Sequence, residues 1–240
     1  MFCGLCRDLV YHLPLVTGGI FIEVENMPLD FVLIRASSIP EMVNDPNSTL
    51  KAGITGSDII WEAGMTERRK SLPPRNDLKQ FLSADNRDFG EERPLYFLNP
   101  NTKRASLYIG VTQSFARAIR EEKDRKVVVE DLEEEMVATK YERIASEVFA
   151  EREILGVSFL KASGTDEAMQ YVFPNCPGIL GITSSGKSVE VNQIEILEIL
   201  HQVTVHMIKA GDKLTRRDTE ILYDIRSRIN TFIQEKKHDV

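Results

Sequence analysis

The sequence predicts an α/β fold in which mostly parallel sheets carry helices on both faces. Three observations predict it. Short apolar runs, typical of buried strands, alternate along the chain with segments of helical periodicity. Glycines and capping residues stand where strands are predicted to run into helices. The alternation of strand and helix favours crossover connections, which place helices against both faces of a sheet.

The first part of the chain contains two predicted strand–helix pairs. The apolar run 31–34 predicts a buried strand, and residues 38–41 form a capping box with a proline that favours a helix start. Residues 52–55 predict a second strand, which runs into Gly56 and a helix capped by Ser57. Residues 65–104 are rich in charges and prolines, and they form either a long loop or an inserted β-ribbon.

The middle of the chain repeats the strand–helix order. Each predicted strand is short and apolar, and each is followed by a capping residue or by a helical face. The predicted elements are a strand at 107–111, a helix capped by Ser114, a strand at 136–139, a helix at 141–152, a strand at 156–161, a helical turn at 163–171 and a buried strand at 178–182.

Two helices are predicted after this last strand. Apolar residues at helical spacing predict a long helix over residues 191–209, and Thr215 with Asp218 caps a final helix. The apolar stripe of the first helix consists of Ile196, Ile199, Leu200, Val203 and Met207.

Composition excludes several classes of protein. The chain has 240 residues and a formal net charge of −7, which argues against nucleic acid or an anionic membrane surface as a partner. It contains no apolar run long enough to span a bilayer. Its three cysteines are typical of a reducing, cytoplasmic protein, and Cys3 and Cys6 are interpreted as ordinary small apolar residues, not as a redox or zinc site.

The strongest chemical signal lies directly after the predicted strand at 178–182. Residues 181–188 satisfy the pattern G-x-x-x-x-G-K-[ST], in which small residues let backbone amides converge on phosphate oxygens. Hydroxyls and a lysine add further donors. We therefore expect a phosphate site formed by Thr183, Ser184, Ser185, Gly186, Lys187 and Ser188.

A P-loop nucleotidase explains the whole chain poorly. That fold continues with further strands, one of which carries the aspartate that holds Mg²⁺, whereas residues after Ser188 are predicted to be helical. Phosphate binding is therefore favoured over triphosphate hydrolysis.

Five segments, in the same order and at similar spacing, resemble the ATP phosphoribosyltransferases, which catalyse the first step of histidine biosynthesis. The resemblance extends from about residue 30 to residue 210. The segments are Leu33-Ile-Arg-Ala-Ser-Ser-Ile-Pro40, Ala52-Gly-Ile-Thr-Gly-Ser-Asp58, Val137-Ala-Thr-Lys-Tyr141, Lys161-Ala-Ser-Gly-Thr-Asp-Glu167 and Ile182-Thr-Ser-Ser-Gly-Lys-Ser188.

The resemblance implies a two-lobed fold like that of the type II periplasmic binding proteins, with mixed, mostly parallel sheets. One lobe would comprise residues 1–105 and 190–240, and the other residues 106–189 with the phosphate loop. The chain would be a short form of the family, which works as a homo-oligomer or with a separate regulatory subunit.

The resemblance also implies a glycosyltransferase that condenses ATP with phosphoribosyl pyrophosphate in the presence of Mg²⁺. The loop at 183–188 would hold the 5-phosphate, and no catalytic side chain is assigned. Other candidate residues of the cleft are Glu167, Gly164, Thr139, Thr55, Gly56 and Arg35. No protein-bound metal site is predicted.

Two departures from the family pattern bear on catalysis. Gly181 and Pro177 stand where the family usually has acidic residues, the first of which contacts the ribose. The sequence leaves open whether catalysis is weakened, retuned or lost. The alternative is a clamshell module that binds a phosphorylated metabolite without catalysis.

Overall fold

The computed structural model describes residues 15–16, 19–23, 30–63, 105–162, 164, 166–203, 205–210 and 214–238. The predictions for Cys3, Cys6 and residues 65–104 lie outside these residues. The strands are β1 (Leu15–Val16), β2 (Gly19–Glu23), β3 (Asp30–Leu33), β4 (Ala52–Gly56), β5 (Ser106–Thr112), β6 (Met136–Thr139), β7 (Ser158–Lys161), β8 (Gly178–Thr183), β9 (Ile194–Gln202) and β10 (Val205–Lys209). The α-helices are α1 (Ile39–Asn44), α2 (Ser57–Ala63), α3 (Gln113–Lys123), α4 (Glu142–Glu151), α5 (Met169–Val172), α6 (Lys187–Val191) and α7 (Arg216–His238).

The chain forms two compact units. The first comprises Met1–Ile59, Pro73–Leu98 and Val205–Val240, and the second comprises Ile60–Leu72 and Asn99–Thr204. The sequence-based division assigned residues 190–240 to the first lobe, but β9 pairs with β5 inside the second unit.

The first unit contains two small antiparallel sheets. One has the order β1-β2-β3, and the other joins β4 to β10, with Thr55 opposite His206. Helix α1 packs against β4 and β10 through buried Ile39 and Val43. The predicted cap of α7 is confirmed, because the Asp218 amide donates to Thr215 Oγ1 over 3.1 Å and the Thr215 amide donates to Asp218 Oδ2 over 2.8 Å.

The second unit is built on a five-stranded mixed sheet in the order β7-β6-β8-β5-β9. Strands β7, β6 and β8 are parallel, whereas β5 pairs antiparallel with both β8 and β9. The predicted inner face of α4 is confirmed, since its buried residues are Ile144, Ala145, Val148 and Phe149. The α/β class of the prediction is confirmed by these elements.

The amino end of α4 is capped by the carboxylate of Glu62, which is distant in sequence. The Arg143 and Ile144 amides donate to Glu62 over 3.1 and 3.0 Å. The indole of Trp61 donates to Glu147 over 3.0 Å. Burial raises the pKa of Glu62, and the two amide hydrogen bonds oppose that shift.

The predicted long helix over residues 191–209 is wrong. This segment forms β9 and β10, joined near Val203. The pairing of β9 with β5 shifts register twice, between Leu107 and Tyr108 and between Ile109 and Gly110. At each shift the residues that face the core change, so apolar residues no longer recur at every second position. The resulting spacing resembles the three- and four-residue spacing of an amphipathic helix.

Three smaller predictions are also wrong in detail. The strand at 31–34 forms as β3, but its side chains are exposed. An apolar run predicts an extended backbone, but it does not predict which other elements pack against the strand. Helix α3 is capped by Thr112, whose Oγ1 accepts the Phe115 amide over 3.3 Å, and not by Ser114. The helix predicted to start after residue 38 does form, but the Ser38 side chain makes no cap hydrogen bond.

Cys176 lies two residues before β8 and is buried. Its thiol donates to the Met136 carbonyl over 3.5 Å, and burial raises its pKa to about 11. Among the helices of the described residues, none has the length and apolar character needed to cross a membrane.

Candidate functional site

Three of the predicted segments meet at one edge of the sheet in the second unit. Parallel strands β6, β7 and β8 end at Thr139, Lys161 and Thr183, so the segments that follow them leave the same edge. Carboxyl ends of parallel strands are the usual place for ligand sites in α/β sheets. The turn at 166–168 packs against β6 and β8, which brings it beside the loop at 183–188.

The loop at 183–188 is exposed and internally braced. Gly186 has φ of 80°, a left-handed conformation that glycine adopts without strain. Its amide donates to Thr183 Oγ1 over 3.1 Å, and the Lys187 amide donates to Ser185 Oγ over 3.3 Å. Within the described residues, the Ser184 and Ser185 amides make no hydrogen bond, so they remain available to an anion.

The helix that follows this loop is short. Helix α6 has five residues, whereas the sequence predicted a long helix there. A short helix contributes little macrodipole, so its amino end adds little to anion binding. Any phosphate affinity of this loop must come from its free amides, its hydroxyls and the exposed Lys187.

Glu167 links the loop to the interior of the sheet. Its Oε1 accepts the Ser188 hydroxyl over 3.1 Å and the Tyr108 hydroxyl over 3.2 Å. Tyr108 is fully buried in β5, and burial together with Glu167 raises its pKa, so the phenol stays protonated and donates. The sequence predicted Glu167 and Ser188 but missed Tyr108, although a tyrosine inside an apolar strand needs a partner for its hydroxyl.

Asp166 is a second acidic group at this edge that the sequence analysis missed. It is 3% exposed, and its Oδ1 has no hydrogen-bond partner among the described residues. Burial raises its pKa to about 7, while the charge of Lys140 opposes the shift and the charge of Glu167 adds to it. The side chain therefore takes up a proton at a higher pH than an ordinary aspartate does.

The other candidates of the second unit are Thr139, which is buried, and Gly164, which is exposed. Thr139 is fully buried, and its Oγ1 accepts the Tyr141 amide over 2.9 Å, so it organises the turn into α4. Gly164 is exposed with φ of 87°, and a Cβ there would meet no atom within 4 Å. Its contribution to a site would come from backbone groups.

Three candidates belong to the first unit. Thr55 is buried, and its Oγ1 donates to the Ala36 carbonyl over 3.0 Å, which ties the end of β4 to the turn before α1. Gly56 ends β4 opposite Val205. Arg35 is exposed, directly before that turn.

The described residues contain no group of three or more histidine, cysteine, aspartate or glutamate side chains arranged to hold a metal ion.

The sequence matches the family described as "HisG: ATP phosphoribosyltransferase" over residues 35–231. This match includes the loop, Glu167 and Tyr108, and it covers most of the chain. The chain belongs to the ATP phosphoribosyltransferase family. The family is one of transferases, and the resemblance read from the five segments is confirmed.

Individual relatives agree with this assignment. The chain is 27% identical over 229 residues to the ATP phosphoribosyltransferase of Methanosarcina mazei, covering 92% of this chain and 64% of that protein. It is 27% identical over 228 residues to the enzyme of Methanosarcina barkeri, with the same coverage. The chain thus spans slightly less than two thirds of the length of these curated relatives.

A solved structure shares the fold of this member of the ATP phosphoribosyltransferase family. It is a chain of the "ATP phosphoribosyl transferase (HisG:HisZ) complex from Thermotoga maritima", with a TM-score of 0.61 and 13% identity. The match covers 95% of this chain and 88% of that chain. The predicted fold of the family is therefore confirmed.

The structure shows the contacts of Gly181 and Pro177, the two departures from the ATP phosphoribosyltransferase pattern. Gly181 lies directly opposite Tyr108 in the β5–β8 pair, and a Cβ on it would lie 3.3 Å from the Tyr108 hydroxyl. Pro177 is buried, and its carbonyl accepts the Thr112 amide over 3.0 Å. Neither position carries a carboxylate, whereas the Glu167 carboxylate bonds to the loop through Ser188.

Proposed function

We propose that this chain transfers the phosphoribosyl group of phosphoribosyl pyrophosphate to ATP, giving phosphoribosyl-ATP and pyrophosphate. The family assignment supports this activity. The observation that carries it for this chain is the Ser188–Glu167 hydrogen bond, which joins two family-matched segments at the carboxyl edge of the sheet. A loop of free amides beside a fixed carboxylate suits a ligand that combines a phosphate with sugar hydroxyls.

The loop would bind the 5-phosphate of phosphoribosyl pyrophosphate through the Ser184 and Ser185 amides, with the charge of Lys187 adding to the attraction. Glu167 would accept a hydrogen bond from a ribose hydroxyl. In the reaction, N1 of adenine forms a bond to C1 of the ribose as the bond from C1 to the pyrophosphate oxygen breaks. The positive charge that develops on the ribose ring needs positioning and electrostatic stabilisation more than a nucleophilic side chain.

Mg²⁺ fits this proposal as an ion held mainly by the substrate. Glu167 offers one carboxylate at the edge, its Oε2 makes no hydrogen bond to a described residue, and it would contact the ion through a bound water. When bound to the pyrophosphate, Mg²⁺ neutralises the charge of the leaving group.

We also propose that the chain assembles with further subunits, either as a homo-oligomer or with a separate regulatory chain. The likeness to a chain from the HisG:HisZ complex supports the second arrangement. Light scattering of the purified chain, alone and with a candidate regulatory chain, tests it. A monomer under both conditions at micromolar concentration contradicts the proposal.

The activity is tested by incubating the protein with ATP, phosphoribosyl pyrophosphate and Mg²⁺ and measuring phosphoribosyl-ATP and pyrophosphate in equal amounts. Lys187→Ala should raise KM for phosphoribosyl pyrophosphate about tenfold, because it removes a charge-assisted contact to phosphate. Lys126→Ala, an exposed lysine in the same unit, serves as the matched control and should leave KM unchanged.

Two results would replace the proposal. Binding of phosphoribosyl pyrophosphate without any phosphoribosyl-ATP would leave the non-catalytic binding module, for which the absence of a carboxylate at Gly181 is the supporting observation. Hydrolysis of ATP that disappears in Lys187→Ala would instead support a nucleotidase.

A further inference from the structure

Tyr108 and Ser188 hold the same oxygen of Glu167 from two sides. Both hydroxyls donate to Oε1, over 3.2 and 3.1 Å, and they reach it from different elements, β5 and α6. The Tyr108 donor is fully buried in the sheet, whereas the Ser188 donor is exposed. The buried donor is the more permanent of the two, since an arriving ligand can redirect an exposed hydroxyl.

The Tyr108 hydroxyl reaches Glu167 because residue 181 has no side chain. Tyr108 and Gly181 are direct partners across the β5–β8 pair, so their side-chain positions share one face of the sheet. A Cβ at position 181 would lie 3.3 Å from the Tyr108 hydroxyl and 3.5 Å from its ring carbon Cε1. A larger side chain at 181 would need the volume that the phenol now occupies.

We propose that Tyr108 is a positioning residue of this site, which holds Glu167 in place for a sugar hydroxyl of the ligand and occupies the volume left open at Gly181. This inference rests on the proposed function, because it assigns the Tyr108–Glu167 pair to the sugar part of a phosphorylated ribose. It makes Tyr108 and Gly181 one functional pair: the glycine gives the space, and the tyrosine provides the hydrogen bond.

The pair has a consequence for ligand selectivity. When phosphate enters the loop, the Ser188 hydroxyl can turn from Glu167 to a phosphate oxygen, because a hydroxyl has one proton to donate. Tyr108 then remains as the donor that keeps the Glu167 carboxylate in position. Loss of the Tyr108 hydroxyl should therefore weaken ligands that carry a ribose, and it should leave inorganic phosphate unaffected.

The first test compares Tyr108→Phe with the unmodified protein by calorimetric titration with ribose 5-phosphate and with inorganic phosphate. Phenylalanine keeps the buried ring and removes only the hydroxyl. We expect the Kd for ribose 5-phosphate to rise about fivefold or more, while the Kd for inorganic phosphate changes less than twofold. Tyr171→Phe, which removes an exposed hydroxyl in the same unit, is the matched control and should change neither constant.

The second test uses a double-mutant cycle. Gly181→Ala places a methyl group against the Tyr108 hydroxyl, so it should weaken ribose 5-phosphate when Tyr108 is present. In the Tyr108→Phe background the same alanine meets no hydroxyl, so its effect on Kd should fall to less than half of its value in the unmodified protein.

The outcomes separate this inference from the proposed function. If the unmodified protein binds neither ribose 5-phosphate nor phosphoribosyl pyrophosphate, both are overturned. If it binds them and Tyr108→Phe binds ribose 5-phosphate equally well, the positioning role of Tyr108 alone is wrong. Equal weakening of ribose 5-phosphate and inorganic phosphate, or additive effects in the cycle, would also overturn it, because a merely structural role predicts that result.

Discussion

Replacement of Gly186 by valine should separate the stability of the phosphate loop from its ligand affinity. Gly186 has φ of 80°, and a Cβ there would meet no atom within 4 Å, so the cost in the free protein is backbone strain and not a collision. A β-branched residue in this region costs about 2 kcal/mol. For a chain of this length, that corresponds to a fall in Tm of about 4–8 °C.

The effect on ligand binding should be larger. Strain at residue 186 turns its amide away from Thr183 Oγ1 and shifts the free amides of Ser184 and Ser185. Phosphoribosyl pyrophosphate at a hundredfold excess over Kd should stabilise the unmodified protein by about 2.7 kcal/mol, or about 5–11 °C in Tm. In Gly186→Val this ligand-dependent rise should disappear.

The assay is differential scanning fluorimetry of both proteins with and without phosphoribosyl pyrophosphate. Gly156→Val is the control for a strained glycine away from the loop, because Gly156 also has a left-handed φ, of 69°, but precedes β7 and so lies at the opposite edge of the sheet. A Cβ at Gly156 would also lie 3.0 Å from Glu134 Cγ and 3.2 Å from its Cα, so this variant should lose more stability than Gly186→Val. The control should lose stability and keep the full ligand-dependent rise. An unchanged rise in Gly186→Val would refute the assignment of the loop to the ligand.

Three further predictions concern stability and its dependence on pH. Asp131→Asn should lower the free energy of unfolding by about 1–2 kcal/mol at pH 7, because Asp131 accepts hydrogen bonds from Arg125 and other donors. These donors hold the pKa of Asp131 well below its usual range, so the difference from the unmodified protein should begin to shrink below about pH 4 and disappear only when pH falls through the lowered pKa. Glu62→Ala should cost about 1–2 kcal/mol in urea unfolding, because it leaves two amides at the start of α4 without an acceptor. Asp166→Asn should stabilise the protein by about 1–2 kcal/mol at pH 8 and by much less at pH 4, because the raised pKa means that the folded state holds a proton between about pH 4 and 7 which the unfolded state has lost.

Each of these predictions has an outcome that contradicts it. A stability difference for Asp131→Asn that grows in acid would reverse the sign argued for its pKa. Glu62→Ala with unchanged unfolding would mean that water replaces the carboxylate at no cost. An Asp166→Asn variant that is less stable at pH 8 would show that the ionised carboxylate has a partner and is not strained by burial.

The sequence predicts the local elements of this fold better than their pairing. Strand β8 follows from its continuous apolar run, because its first four residues are all buried, and helix α4 follows from helical periodicity, because it buries one face. Strand β9 was misread as a helix because two register shifts against β5 break its alternation, and such shifts depend on a partner strand that is distant in sequence. The exposure of β3 likewise depends on which elements cover a sheet, and no local pattern records that.

In the candidate site, too, local motifs can be predicted from sequence, whereas contacts between distant segments cannot. The loop at 183–188 could be proposed from sequence because a short motif carries its own chemistry, and Glu167 could be proposed because its segment resembles the family's. Tyr108 was missed because its role arises only where β5 lies opposite Gly181, and Asp166 because its burial depends on the packing of a short turn against β6 and β8. Departures from a family pattern, such as Gly181, are therefore best understood together with the residue opposite them in the sheet.

The buried thiol of Cys176 offers a way to time the opening of this part of the molecule. Thiolates are the species that alkylating reagents attack, and a thiol with a pKa of about 11, bonded to the Met136 carbonyl, hardly forms one while the chain is folded. Alkylation of the peptide that contains Cys176 will therefore proceed only as fast as the segment before β8 detaches. That segment leads into β8, the strand that ends at the phosphate loop. The rate of alkylation therefore measures how often β8 opens, and a ligand bound in the loop should lower this rate.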